Sequence, residues 1–124
     1  MIVLPEEHRR QIIGHCLAAL PNEGCGMLAM DGEQVVKVYS MNNEDDSPVS
    51  YTIPPSEHFD ALMDAESKGW RLGGVFHSHP TGPAGMSETD LAKVTEPDWV
   101  YAVVDLSHDE PMLSAWRSGS EVTI

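Results

Sequence analysis

From Arg71 the chain reads as a buried strand that runs into His77-Ser78-His79-Pro80, and no other stretch constrains the fold as strongly. Gly73-Gly74 allows close backbone approach inside that strand. Period-two geometry sends the side chains of His77 and His79 to the same side. A Gly/Pro-rich loop from Thr81 to Met86 follows, and Ser87-Glu88-Thr89-Asp90 then begins a short helix. Seven residues separate His79 from Ser87, so two imidazoles and a carboxylate fall within fourteen residues. Asp90 lies in the first turn of the helix, within reach of the strand end. A divalent ion such as zinc takes these ligand types, and three protein ligands leave a fourth position for water. The pattern points to a hydrolase.

Each residue of this set also has a plainer reading. Two histidines at a strand end can simply be solvated. Ser-Glu-Thr-Asp is S-x-x-D, the sequence of a helix capping box with Ser87 as N-cap and Asp90 at N3. Beside H-x-H the ligand reading is the stronger one, because a carboxylate held at a helix start needs the same geometry. Both roles can coexist in Ser87. Glu23 follows the helix-breaking Pro21-Asn22 and precedes Gly24-Cys25-Gly26, so by default it is an exposed loop acid. It gains interest because a metal-activated water needs a nearby base that later protonates the leaving amine. Cys25, entering an apolar strand between glycines, reads as packing, as does Cys16 on a helical stripe. His8, His15, His58 and His108 show no ligand spacing and read as surface or helix-face residues.

The remaining chain supplies a frame for that site. Pro5 to Leu20 is expected to be a helix, with Ile12, Ile13, Cys16, Leu17 and Leu20 on one stripe. Cys25 to Met30 and Gln34 to Tyr39 form a hairpin turned at Asp31-Gly32. Met41 to Ser50 is polar and acidic and is expected to be a loop. Pro54-Pro55-Ser56 opens a second helix, with Phe59, Leu62, Met63 and Glu66 along one face and Gly69 past its end. A third helix starts at Ser87 and is closed by Pro97. Strands are expected over Trp99 to Leu106 and Met112 to Trp116, with an edge strand over Glu121 to Ile124. The order predicts an α/β protein, a mixed β-sheet with flanking helices, in a single domain spanning residues 1–124.

At 124 residues the chain can bury a core without disulfides. Two scattered cysteines fit a reducing cytoplasm. The first residues carry no basic, apolar leader, so no signal peptide is expected. No apolar run approaches the length of a membrane span. With 20 acidic against 7 basic residues the net charge is −13, which argues against a nucleic-acid surface. The same charge favours solubility or a basic partner.

Together these residues resemble the JAMM (MPN+, Mov34) zinc metalloprotease family, whose pattern is E-x-x-G-x-L, then H-S/T-H-P, six residues, then S-x-x-D. Here the parts read Glu23-Gly24-Cys25-Gly26-Met27-Leu28, His77-Ser78-His79-Pro80 and Ser87-Glu88-Thr89-Asp90. The resemblance covers nearly the whole chain. It implies a cytidine-deaminase-like JAMM fold and one catalytic zinc held by His77, His79 and Asp90. It makes Glu23 the general base and acid, and Ser87 a helper of the oxyanion. It also implies cleavage of the amide bond after the C-terminal Gly-Gly of a ubiquitin-like protein.

The chain lacks the long insertions of eukaryotic deubiquitinases. Glu-x-Cys-Gly, the segment from Asn42 to Pro48 and Thr95-Glu96-Pro97-Asp98 resemble the compact bacterial group that includes the Mec+ peptidase. That group removes cysteine from a ubiquitin-like sulfur-carrier protein during cysteine synthesis. An isopeptidase acting on lysine conjugates and a metal-free MPN-type scaffold are the alternatives. RadC-like proteins share an H-x-H-P-S/T-G loop, echoed by Thr81-Gly82, but the acidic balance opposes a DNA role. The carrier, the leaving amine and the oligomeric state, a homodimer among the options, stay open. The loop Thr81 to Met86 is expected to border the groove for the substrate tail.

Overall fold

The protein is described by a computed structural model covering residues 1–82 and 86–124. The stretch 83–85 of the Gly/Pro-rich loop lies outside the described residues. Helix α1 (Glu6–Ala19) is followed by strands β1 (Cys25–Asp31) and β2 (Gln34–Met41), helix α2 (Pro55–Ser67) and strand β3 (Arg71–His79). A short helix α3 (Glu88–Ala92) then leads to β4 (Val100–Asp105), β5 (Met112–Arg117) and β6 (Ser120–Val122). The sheet has the order β2-β1-β3-β4-β5-β6. Only the β3/β4 pairing is parallel; the other neighbours run antiparallel. This is the mixed sheet with flanking helices that the sequence predicts.

Strand alternation divides the interior into two cores. Leu28, Phe76, Val100, Ala102 and Val104 face α1, where they meet Ile12 and Cys16. Cys25, Met27, Val75 and Tyr101 face the other way and pack with Tyr51 and with Ala61 of α2. β3 pairs on both edges and meets α1 on one face and α2 on the other, so its interior is buried on both faces. Gly26 shows why one position of the E-x-x-G-x-L segment has no side chain. A Cβ there would sit 2.2 Å from the Tyr39 carbonyl oxygen and 2.3 Å from the Phe76 ring.

The differences from the sequence reading have physical causes. Asp31 pairs with Gln34, so the two-residue hairpin loop is Gly32-Glu33, one residue later than expected. Gly32 takes φ +60°, which the first position of such a loop demands. On α2 the buried residues are Ala61 and Ala65, whereas Phe59 and Met63 are 60% and 50% exposed. The helix lies close to the sheet, and small side chains fill that gap. Along α1, Ile12 and Cys16 are buried but Leu17 and Leu20 stand largely in solvent. α3 stops at Ala92, well before Pro97, with Lys93 as its C-cap, and Val94 beyond it packs against the core outside any helix. The last strand is Ser120–Val122, paired to β5.

Candidate metal centre and active site

β3 carries His77 and His79 to its C-terminal end, with Ser78 between them pointing to the opposite face. α3 brings Asp90 against them. Ser87 caps this helix in full: its Oγ accepts from the Asp90 N–H at 3.1 Å, and Asp90 Oδ2 accepts from the Ser87 N–H at 2.9 Å. The capping-box reading of Ser87 and Asp90 therefore holds, and it coexists with the convergence of ligands. One and the same Oδ2 lies 3.1 Å from His77 Nε2 and 3.0 Å from His79 Nε2. The two Nε2 atoms are 3.1 Å apart.

Protons cannot satisfy this triangle. Each imidazole Nε2 holds at most one hydrogen, which cannot point along two edges at once. A cation at the centre would take one lone pair from each of the three atoms. Ligands 2.0–2.1 Å from a tetrahedral centre lie roughly 3.3 Å apart, close to the separations found. The chemistry of the donors agrees. Burial lowers the His77 pKa, although Asp90 opposes this, so the ring favours the neutral form that binds metals. Burial resists ionisation of Asp90, but hydrogen bonds from His77 and His79 outweigh it and hold the carboxyl well below the usual carboxylate range. Among the described residues, His77, His79 and Asp90 form the group of side chains able to hold a metal ion.

Glu23 arrives from far along the chain. It is only 4% exposed, so the expectation of an exposed loop acid does not hold. The segment after β2 covers it. Glu23 N–H donates to the Ser47 carbonyl at 2.9 Å, and Asn43 Nδ2 donates to the Glu23 carbonyl at 3.1 Å. Next to it, Gly24 is pinned to β3 twice: its N–H donates to Ser78 Oγ at 2.8 Å, and its carbonyl accepts from the Ser78 N–H at 3.0 Å. The Glu23 carboxylate shares a cleft of about 320 Å³ with Val49, His79, Met86, Ser87 and Asp90. Its Oε1 is buried without a hydrogen-bond partner among the described residues. Burial pushes the carboxyl up to about 7, with His79 opposing and Asp90 adding to the rise.

Several contributors were not singled out from sequence. Ser78, fully buried, is one; a polar residue inside an apolar strand must find a partner, and that was its signal. Tyr51 stacks on His77 with ring centroids 4.7 Å apart. Lys93, just past α3, covers the other side of Tyr51 at 4.4 Å and donates to the Tyr51 carbonyl. His15 is a half-buried helix-face residue of α1: its Nε2 lies 3.1 Å from the Cys25 carbonyl and 2.9 Å from that of Met41. Cys16 and Cys25 are buried, with thiols pushed by burial up to about 12, which suits packing and not nucleophilic work. No helix among the described residues is long and apolar enough to cross a membrane.

The chain as a whole resembles known proteins. A family model described as prokaryotic homologs of the JAB domain matches residues 5–119. A desampylase from Pyrococcus furiosus is 29% identical over 104 residues, covering 84% of this chain and 74% of that protein. A probable TtuB-protein conjugate cleaving protease from Thermus thermophilus is 29% identical over 125 residues, 100% of this chain and 82% of its own. A CysO-cysteine peptidase from Mycobacterium tuberculosis is 26% identical over 106 residues, with 84% and 73% covered. A solution structure of a protein from Desulfitobacterium hafniense superposes with a TM-score of 0.85 at 32% identity, covering 98% of this chain and 88% of that one. The structure described as "JAMM: A Metalloprotease-like Zinc Site in the Proteasome and Signalosome" covers 100% of this chain and 95% of its own. Its TM-score is 0.67 at 18% identity, a likeness of fold alone. With a match that leaves only the two ends of the chain outside it, this protein is a member of the prokaryotic JAB domain family.

Proposed function

We propose that the protein is a zinc-dependent peptidase that hydrolyses the amide bond after the C-terminal Gly-Gly of a ubiquitin-like sulfur-carrier protein, releasing cysteine. The observation that supports this reading is the triangle of His77 Nε2, His79 Nε2 and Asp90 Oδ2, each 3.0 or 3.1 Å from the others, a spacing that suits a shared cation. Those three residues would hold the zinc. When bound, zinc supplies Lewis acidity: it acidifies water and polarises a carbonyl oxygen. A metal-free scaffold would have no use for three donors crowded in this way.

The chain's own residues do the rest. Glu23 Oε1, buried and without a hydrogen-bond partner among the described residues, takes a proton from the attacking water. With a pKa near 7 it accepts that proton and gives it up again at neutral pH, here to the departing nitrogen. Ser87 Oγ already accepts from the Asp90 N–H, so its own hydrogen remains to donate to the oxygen of the tetrahedral species. Met86, at the lip of the same cleft, contacts the substrate tail.

A second reading is favoured by the relatives' names. Two of them, a desampylase and a conjugate-cleaving protease, are each 29% identical, against 26% for the CysO-cysteine peptidase. On that reading the leaving group is a lysine side chain and the activity is that of an isopeptidase on protein conjugates. The deciding experiment incubates zinc-loaded protein with a carrier–cysteine adduct and with a carrier–lysine conjugate, followed by intact-mass analysis. Faster release from the adduct supports the first reading and faster release from the conjugate the second. No zinc uptake and no cleavage of either would return the chain to the scaffold class.

A further inference from the structure

We propose that Asp105 is a positioning residue for the metal centre, acting through the turn that follows His79. The proposal rests on the reading of His77, His79 and Asp90 as metal ligands. Asp105 ends β4, where its Cα pairs in register with that of His79 on the parallel neighbour β3. Residues paired in this way project to the same face of the sheet, so the carboxylate lies on the ligand side, one strand over. It is 2% exposed. A carboxylate buried this deeply is tolerated only when its oxygens are well supplied with donors.

The donors are local and strong. Oδ1 accepts from the Ser107 N–H at 2.8 Å and from the Ser107 hydroxyl at 2.6 Å. On the other oxygen, Oδ2 lies 3.3 Å from His108 Nε2. These bonds fold the start of the β4–β5 loop back over the strand end and fix a wall. The turn after His79 is built against that wall. Gly82 has φ +65°, and a Cβ there would meet Ser107 Oγ at 2.5 Å and Asp105 Oδ1 at 2.8 Å. The His79 carbonyl accepts from the Gly82 N–H at 3.2 Å and from the Leu106 N–H at 3.1 Å. His79 is therefore held from behind by both segments that Asp105 joins, the turn before Gly82 and the residue after Asp105 itself. Removing the carboxylate frees Ser107, opens a space beside Gly82 and lets the main chain of His79 drift.

Groups behind a metal ligand commonly set affinity by about ten- to a hundredfold. The test measures zinc affinity by chelator competition, and the visible spectrum of the cobalt-substituted protein, for wild type, Asp105→Ala, Asp105→Asn and Ser107→Ala. Asp105→Ala should weaken zinc binding about tenfold or more and shift the cobalt ligand-field bands. Asp105→Asn keeps an oxygen that accepts from Ser107 and should recover most of the loss. Ser107→Ala should shift the bands in the same direction by less, and it serves as the deciding variant if Asp105→Ala does not fold. Wild-type affinity and spectrum in folded Asp105→Ala, or in Ser107→Ala in its place, overturn the proposal. A wild type that binds neither metal overturns instead the ligand reading on which it rests.

Discussion

The two halves of the site reach their places by different means. His77, His79 and Asp90 come from one strand–turn–helix stretch, and their approach is set by strand alternation and a capping box. Glu23 reaches them across 54 residues, through the bonds between Gly24 and Ser78, under a cover made by the segment after β2. The first half is built by local geometry, with a brace on His79 from the end of β4. The second is assembled by tertiary contacts and can be uncoupled from the first. On the proposed reading, a change at Glu23 should therefore leave metal binding intact.

The sharpest way to break this comparison is Asp90→Ala. It removes both a ligand and half of the α3 cap, and elemental analysis should find zinc falling from about one per chain to near none, with activity at background. Glu23→Gln should do the opposite. We expect full zinc content with kcat lower by about 10²- to 10⁴-fold; retained turnover would overturn the assignment of the base. The same variant has a stability signature in metal-free protein. Burial raises the Glu23 carboxyl from 4.5 to about 7, so the native state binds more protons than the unfolded chain between those values. Native stability therefore falls as pH rises through that window, and the full cost, about 3 kcal/mol at most, stands above it. Denaturant titration should find metal-free Glu23→Gln more stable than wild type at pH 8 and equal to it at pH 4.

Smaller effects sharpen the comparison. Ser78→Ala leaves the Gly24 N–H buried without its acceptor, a cost of about 1–3 kcal/mol. It should lower kcat by roughly tenfold while zinc content stays at wild-type level, and a parallel loss of zinc would show that the two halves are not separable. The smallest effect is expected for Met86→Asp at the cleft lip, a rise in KM of about tenfold or less for a protein substrate with kcat little changed. An unaltered KM would remove Met86 from the tail-binding surface.

This division also explains what could be read from the chain alone. The ligand triad was legible because strand period and helix capping are local rules, and His77, His79 and Asp90 obey them within one short stretch. Glu23 was a candidate only through what a metal site needs beside it, and through resemblance. Read by itself it looked like a loop acid, since nothing near it in sequence announces that Asn43 and Ser47 will bury it. The face of α2 was legible in part: Leu62 packs against the core, but close helix–sheet packing buries Ala61 and Ala65 and leaves Phe59 and Met63 outside. Asp105 was not singled out from the sequence, although an acid closing a strand buried along its whole length is itself a signal.

The crowding of His77, His79 and Asp90 reaches beyond chemistry at the site. Three donors that protons cannot reconcile make the metal-free native state an uneasy one, and an ion that binds only the folded chain deepens its stability by RT ln(1 + [L]/Kd). In a cell, scarcity of the metal would then thin the population of folded molecules as well as idle their active sites, since unfolded chains are removed by proteases. The amount of this protein would follow the metal supply without any dedicated sensor.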